Sequence, residues 1–182
     1  MKGVVFNIFE EFVRDSFGAQ TYEALLDAAG VPPTEPFVGP STYPDETMTT
    51  LVVTASKMLN TEIPVLLRKF GAALFYGLHA KAPGFAEAHH DARSFLLCVE
   101  GVVHMEVRKL YPDAYVPTFE YTTPSEDTLG ITYRSKRRMC HLMEGLLDGM
   151  ADYFGTTIQQ HQTQCMHQGG ETCEFVIQFN AA

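Results

Sequence analysis

The chain has 182 residues, 46% hydrophobic and 19% charged, with a net charge of −9. That size and balance suit a folded domain with its own core rather than a disordered chain, and no apolar run reaches the ~18 residues a membrane helix needs. The acidic balance, with its single basic tract at Arg134–Arg138, argues against nucleic acid, whose binding rests on neutralising phosphates. Glu10 and Glu11 stand where a signal peptide would stay apolar, so a cytoplasmic protein is expected. Four cysteines in that compartment point to free, metal-bound or redox-active thiols rather than structural disulfides.

From the N-terminus, Val4, Val5, Ile8, Phe9, Phe12 and Val13 recur at three and four and predict an amphipathic helix over 3–16, stopped by Gly18. Tyr22–Ala29 reads as a short helix ended by Gly30. Pro32, Pro33, Pro36, Pro40 and Pro44 make 31–44 an irregular connector. Asp45 and Glu46 open a helix to about Leu59. Thr61 is a candidate cap for the next, with Pro64 in its first turn and Leu66, Leu67 and Phe70 inward, until Pro83 and Gly84. Residues 93–110 form the longest unbroken helical pattern, with Ser94 as its cap. Phe95, Val99, Val102, Val103 and Leu110 share one arc; Leu97, Gly101, His104 and Met105 share another, so a helix covered on both sides is expected. Beyond Pro112 the pattern becomes strand-like at 119–123, 130–137, 156–166 and 175–179. A helix at 141–154 interrupts it, and Gly169–Gly170 supply a hairpin turn. The expected fold is α+β: a helical N-terminal part followed by a C-terminal antiparallel sheet with helices.

Tyr133, Ser135 and Arg137 are spaced by two, which in an extended segment puts a phenol, a hydroxyl and a guanidinium on one face, ~6.6 Å apart. Such a row suits a ligand with two carboxylates; an edge strand with scattered polar residues reads the same way. His104, one turn after Gly101, is either a core histidine bonded to a carbonyl or an axial ligand to a haem iron.

These residues together resemble the haem–nitric oxide/oxygen binding family, H-NOX, over nearly the whole chain. The Met-Lys-Gly start, Val103-His104-Met105-Glu106-Val107 and Lys109-Leu110-Tyr111-Pro112 look like that family's. Pro117, thirteen residues after His104, corresponds to its haem-distorting proline, and Tyr133-x-Ser135-x-Arg137 to its propionate clamp. The resemblance implies one sensor domain over 1–182, with a non-covalent b-type haem between the helical part and the sheet. His104 would be the iron ligand; no Cys-x-x-Cys-His attachment motif is present. Members that hold oxygen carry a tyrosine five residues after the clamp arginine; here that place is Leu142, and the supporting positions are Phe9 and Leu74. Val5, Phe75, Leu78 and Leu146 are expected to complete an apolar wall. A ferrous haem that binds nitric oxide and CO but holds no stable oxygen complex follows. Signal would pass in trans to a sensor histidine kinase or a cyclic-di-GMP enzyme, and no enzymatic activity of the chain's own is expected.

Cys140, Cys165 and Cys173 form a second constellation, the last two flanking the Gly169–Gly170 turn. Three thiolates and one imidazole make a closed tetrahedral zinc site, and some bacterial H-NOX proteins look similar here. Their histidine falls on Gln162 in this chain, so the fourth ligand is assigned to His161, delivered by a bulge, with His167 as the alternative. The alternative is two or three unliganded buried thiols. Oxidation would release the metal, which adds a redox-sensing reading. Rival classes are a haem-free redox sensor acting through the cysteine–zinc site, an oxygen-binding variant, and a haem peroxidase, for which no distal acid–base pair is visible.

Overall fold

The computed structural model describes residues 1–32 and 36–180; Pro33 of the proline-rich connector lies outside them. Helices α1 (Gly3–Phe17), α2 (Ala19–Ala29), α3 (Asp45–Met58) and α4 (Ile63–Lys81) build the N-terminal half. Their apolar stripes meet in one cluster around Phe6, Phe9, Leu25, Leu51, Leu66 and Phe70. Gly30, at φ +67°, ends α2, and the Val31 N–H returns to the Leu26 carbonyl at 2.9 Å; a left-handed glycine here satisfies carbonyls that the helix leaves orphaned. Thr61 does not cap α4: its hydroxyl donates to the Leu59 carbonyl, and Glu62 occupies the cap position.

After the short α5 (Gly84–Glu87), the predicted long helix is divided. It runs as α6 (Ala92–Cys98), a π-helical turn over Val99–His104, and α7 (Met105–Leu110). Its cap is Asp91, which accepts from the Ser94 N–H at 2.7 Å, not Ser94 itself. Nor is the helix covered on both sides. Val102, Met105 and Leu110 are 44%, 43% and 70% exposed.

The sheet has four antiparallel strands in the order β1-β2-β4-β3: β1 Thr118–Thr122, β2 Thr128–Arg134, β3 Thr157–Gln164 and β4 Cys173–Asn180. Helix α8 (Cys140–Tyr153) lies between β2 and β3 in sequence. A second cluster joins the sheet and α8 through Leu129, Ile131, Leu147, Met150, Phe175 and Ile177. Alternation carries these strands: β4 reads buried–exposed from Cys173 to Gln178. The α+β architecture is as expected. Among the described residues no helix is long and apolar enough to cross a membrane.

Helices α4 and α8 tie the two halves together, and glycines let them touch. A Cβ on Gly71 would lie 2.3 Å from the Leu142 carbonyl oxygen, and one on Gly145 1.9 Å from that of Arg68. Neither neighbour is a flexible tip, so a methyl group at 145 must push the backbones apart. Gly145→Ala is expected to lower unfolding free energy by about 3 kcal/mol, read as a lower urea midpoint. Gly84→Ala, where no atom lies within 4 Å, should change it by under about 0.5 kcal/mol.

Candidate functional site

His104 closes the π-helical turn, and its ring is mostly buried against Phe119, centroids 5.0 Å apart. Its Nδ1 pairs with Glu100 Oε2 at 2.9 Å, while Nε2 has no hydrogen-bond partner among the described residues. Burial lowers the His104 pKa from 6.5, outweighing the raising effect of Glu100. The imidazole is thus neutral at pH 7, with its proton on Nδ1 facing the carboxylate and a free lone pair on Nε2. That is the form in which a histidine ligates a metal, and the carboxylate behind it is the usual outer partner. Glu100 also accepts from Arg108 Nη2 at 2.7 Å and from the Phe119 N–H at 3.1 Å. Burial works against the Glu100 anion, but these bonds prevail and hold its carboxyl below 4.5. One carboxylate therefore fixes the histidine, α7 and the start of β1 at Phe119, two residues after Pro117.

Of the polar row, only Tyr133 lies within β2, which ends at Arg134. Ser135 follows it and Arg137 sits in a turn, closed by the Arg138 N–H on the Ser135 carbonyl with Arg138 at φ +52°. The inward alternation nonetheless continues past the strand: Tyr133 and Ser135 are 4% and 7% exposed, and the Arg137 side chain 12%. Burial pushes the Tyr133 phenol up to about 12, so it stays a donor at neutral pH. Arg137 donates from Nε to Asp45 at 2.8 Å and from Nη1 to the Tyr115 carbonyl at 2.7 Å, with its guanidinium over the Tyr115 ring. The remaining donors of its fork border a cavity of about 260 Å³ lined by Lys2, Tyr43, Asp45, Tyr115, Lys136 and Arg137. The charge and the donors suit carboxylates.

Asp45, Glu100 and Tyr115 were not singled out by sequence. Asp45 opens α3, where an acid also complements the helix dipole, so its pairing with Arg137 leaves no separate trace in the sequence. Burial works to raise its pKa, but hydrogen bonds from the Met1 amine and Arg137 outweigh this and hold it below 3.8. A carboxyl more acidic when folded adds stability above its unfolded value, about pH 4, which is lost as pH falls through the folded value. The urea midpoint of the wild type should therefore drop below pH 4, and that of Asp45→Asn should drop less steeply.

The expected apolar wall is only partly assembled as one unit. Val5, Phe9, Leu74, Leu142 and Leu146 belong to the N-terminal cluster. Phe75 and Tyr133 belong to the sheet cluster, which Leu146 also joins. Leu78 is 39% exposed and stands outside both. The donor set fits a haem: a neutral imidazole with a free Nε2, cationic and hydroxyl donors for two propionates, and apolar side chains on both halves.

The cysteine constellation assembles differently from its prediction. The sulfurs of Cys140, Cys165 and Cys173 lie within 4.8 Å of one another, all three residues buried. His161 does not join them. It pairs with Val176 and is exposed, because strand alternation turns Gln162 inward instead. A register shift does occur, but between Gln162 and Gln164, too late to swing His161 in. His167 is no substitute: its Nε2 faces the Arg138 carbonyl at 2.7 Å. The four-ligand zinc set is thus corrected to three thiols. Burial, with the neighbouring thiols, pushes Cys140 up to about 12 and raises Cys173. The fourth cysteine, Cys98, ends α6 away from this cluster and is partly exposed.

A family model described as Haem-NO-binding matches residues 2–162. An H-NOX protein from S. oneidensis, solved in its Fe(II)NO state, is 29% identical with all of both chains covered and a TM-score of 0.93. An H-NOX domain from Shewanella oneidensis in its Fe(II)CO state is again 29% identical over all of both chains, with a TM-score of 0.90. The unliganded Fe(II) H-NOX protein from K. algicida is 26% identical, covering 100% of this chain and 98% of its own, with a TM-score of 0.90. A search of curated proteins finds no match.

Proposed function

The chain belongs to the Haem-NO-binding family, and from that premise we propose that it senses nitric oxide, binding it and CO at a ferrous b-type haem. The observation that carries this reading is His104, mostly buried, neutral and backed by Glu100, with Nε2 left free. The haem, when bound, supplies a ferrous iron on which a diatomic gas can sit. His104 would hold that iron through Nε2, and Tyr133, Ser135 and Arg137 would take the propionates. Pro117, Val5, Phe9, Leu74, Phe75, Leu78, Leu142 and Leu146 would line the rest. None of those lining side chains carries a hydrogen-bond donor.

The chain's own residues connect this site to its surface. Glu100 binds the histidine, Arg108 of α7 and the backbone of β1 at once. Any displacement of His104 must break or carry those bonds, so it reaches both elements. Irregular π turns are frequent at functional sites, and this one holds the histidine itself. The resemblance supports a protein partner, a sensor histidine kinase or a cyclic-di-GMP enzyme, that reads the displaced surface; a change in such an enzyme's rate when NO-loaded protein is added would bear this out.

The direct test is an absorption spectrum of haem-loaded ferrous protein under argon, then with NO, CO or air. Five-coordinate ferrous haem that shifts with NO and CO, but not to a stable oxygen complex, is expected. An oxygen complex persisting in air would overturn the assignment of gas.

A further inference from the structure

The thiol cluster stands on features independent of the haem site. Cys140 starts α8, Cys165 follows β3, and Cys173 starts β4, so three separate stretches of chain converge on one buried point. Cys140 and Cys165 bring their sulfurs to 3.9 Å. The Met166 N–H donates to the Cys173 sulfur at 3.4 Å. Gln162 lies against Cys140, yet its buried Nε2 finds no acceptor of good geometry among the described residues. A neutral thiol is a weak acceptor, whereas an anionic sulfur is a strong one. Two amide donors thus face a place that gains most when the sulfurs become thiolates, and buried thiolates require a cation.

We infer that Cys140, Cys165 and Cys173 form a three-coordinate, all-sulfur site for a soft monovalent cation, the cuprous ion, with Gln162 as a hydrogen-bond donor outside the coordination shell. No fourth donor is at hand among the described residues. His161 points to the opposite, exposed side of β3, and His167 is engaged with the Arg138 carbonyl. Structural zinc sites are almost always closed tetrahedra, so zinc here would be left one ligand short in a buried setting. Thiolates suit Cu(I) as well as zinc, so the missing fourth ligand is what decides between them. A metal–sulfur distance of about 2.3 Å puts three sulfurs of a trigonal plane roughly 4.0 Å apart, close to the 3.9 Å between the Cys140 and Cys165 sulfurs and inside the 4.8 Å within which all three lie. Binding transfers no electron, because the copper arrives as Cu(I); each thiol that ligates releases its proton to solvent. Arg138, whose guanidinium reaches the Met166 carbonyl, places a positive charge on the rim. The bound ion would staple the β3–β4 turn to the first turn of α8, the helix that carries Leu142 and Leu146.

The test uses the full chain, reduced and without haem, titrated anaerobically with Cu(I) and, separately, with Zn²⁺. One equivalent of Cu(I) should bind, its X-ray absorption should show three sulfur neighbours and no nitrogen, and the melting temperature should rise. Zinc should be stripped by EDTA. Gln162→His restores a four-ligand set and should retain zinc at least tenfold more tightly than the wild type, with Cu(I) stoichiometry unchanged. Cys173→Ser should leave two sulfurs around copper; Cys165→Ser serves the same purpose if that variant misfolds. Zinc retained by the wild type as firmly as by Gln162→His would overturn the inference, as would a nitrogen neighbour or only two sulfurs in the wild-type copper spectrum.

Discussion

Changing His104 to glycine is expected to abolish the normal five-coordinate ferrous spectrum of the haem-loaded protein, and added imidazole to restore it. The side chain occupies space between Glu100 and Phe119 and touches both. Removing it leaves a hole of imidazole shape with a carboxylate at one end. Free imidazole can donate to Glu100 and present its other nitrogen as His104 does. The cost to folding should be small, about 1 kcal/mol for glycine within a helix, so loss of the spectrum cannot be blamed on unfolding if circular dichroism is unchanged. A rival imidazole exists. His79 has a buried Nδ1 without a partner among the described residues and stacks on Phe75 with Tyr153 beside it. His79→Ala should leave the spectrum as it is. An unchanged spectrum in His104→Gly, or its loss in His79→Ala, would move the iron ligand elsewhere.

What the sequence revealed depended on how local the determining physics is. The stripes of α1, α3, α4 and α8 are set by burial on one side, and their periodicity located them within a few residues. The α4–α8 contact was hidden, because Gly71 and Gly145 resemble ordinary helix weak points until the facing backbone is known. The π turn was hidden too: Val99–His104 reads as continuous helix, and the bond from the Phe119 N–H of β1 to its Glu100 has no trace in the sequence. At the site, the clamp spacing was visible, but Asp45 lies 92 positions from Arg137 and no pattern links them. The thiols were legible as residue types, whereas the fourth ligand turned on strand parity. One residue decides whether an imidazole or a carboxamide faces inward, and the structure selects Gln162.

Leu142→Tyr is expected to give the ferrous protein an oxygen complex that the wild type lacks. Bound oxygen carries partial negative charge, so a phenol donating to it is worth about 1–3 kcal/mol, or up to roughly two orders of magnitude in affinity. NO gains much less, and its affinity should change by under about tenfold. Position 142 is partly buried against the N-terminal cluster, whose members include Phe9 and Leu74, 0% and 4% exposed. The larger ring must fit there at an overpacking cost of about 1–3 kcal/mol, and its hydroxyl would have no neighbouring side chain in that wall to orient it. The single substitution should therefore yield a weak complex, with a free phenol sampling several directions. Adding Leu74→Asn supplies a fixed polar partner, and the double variant should hold oxygen more tightly than Leu142→Tyr alone. The measurement is the ferrous spectrum in air-saturated buffer, followed by the rate at which oxygen is displaced by CO. If both variants fold, take up haem and bind NO, yet form no oxygen complex, gas selection does not reside at position 142.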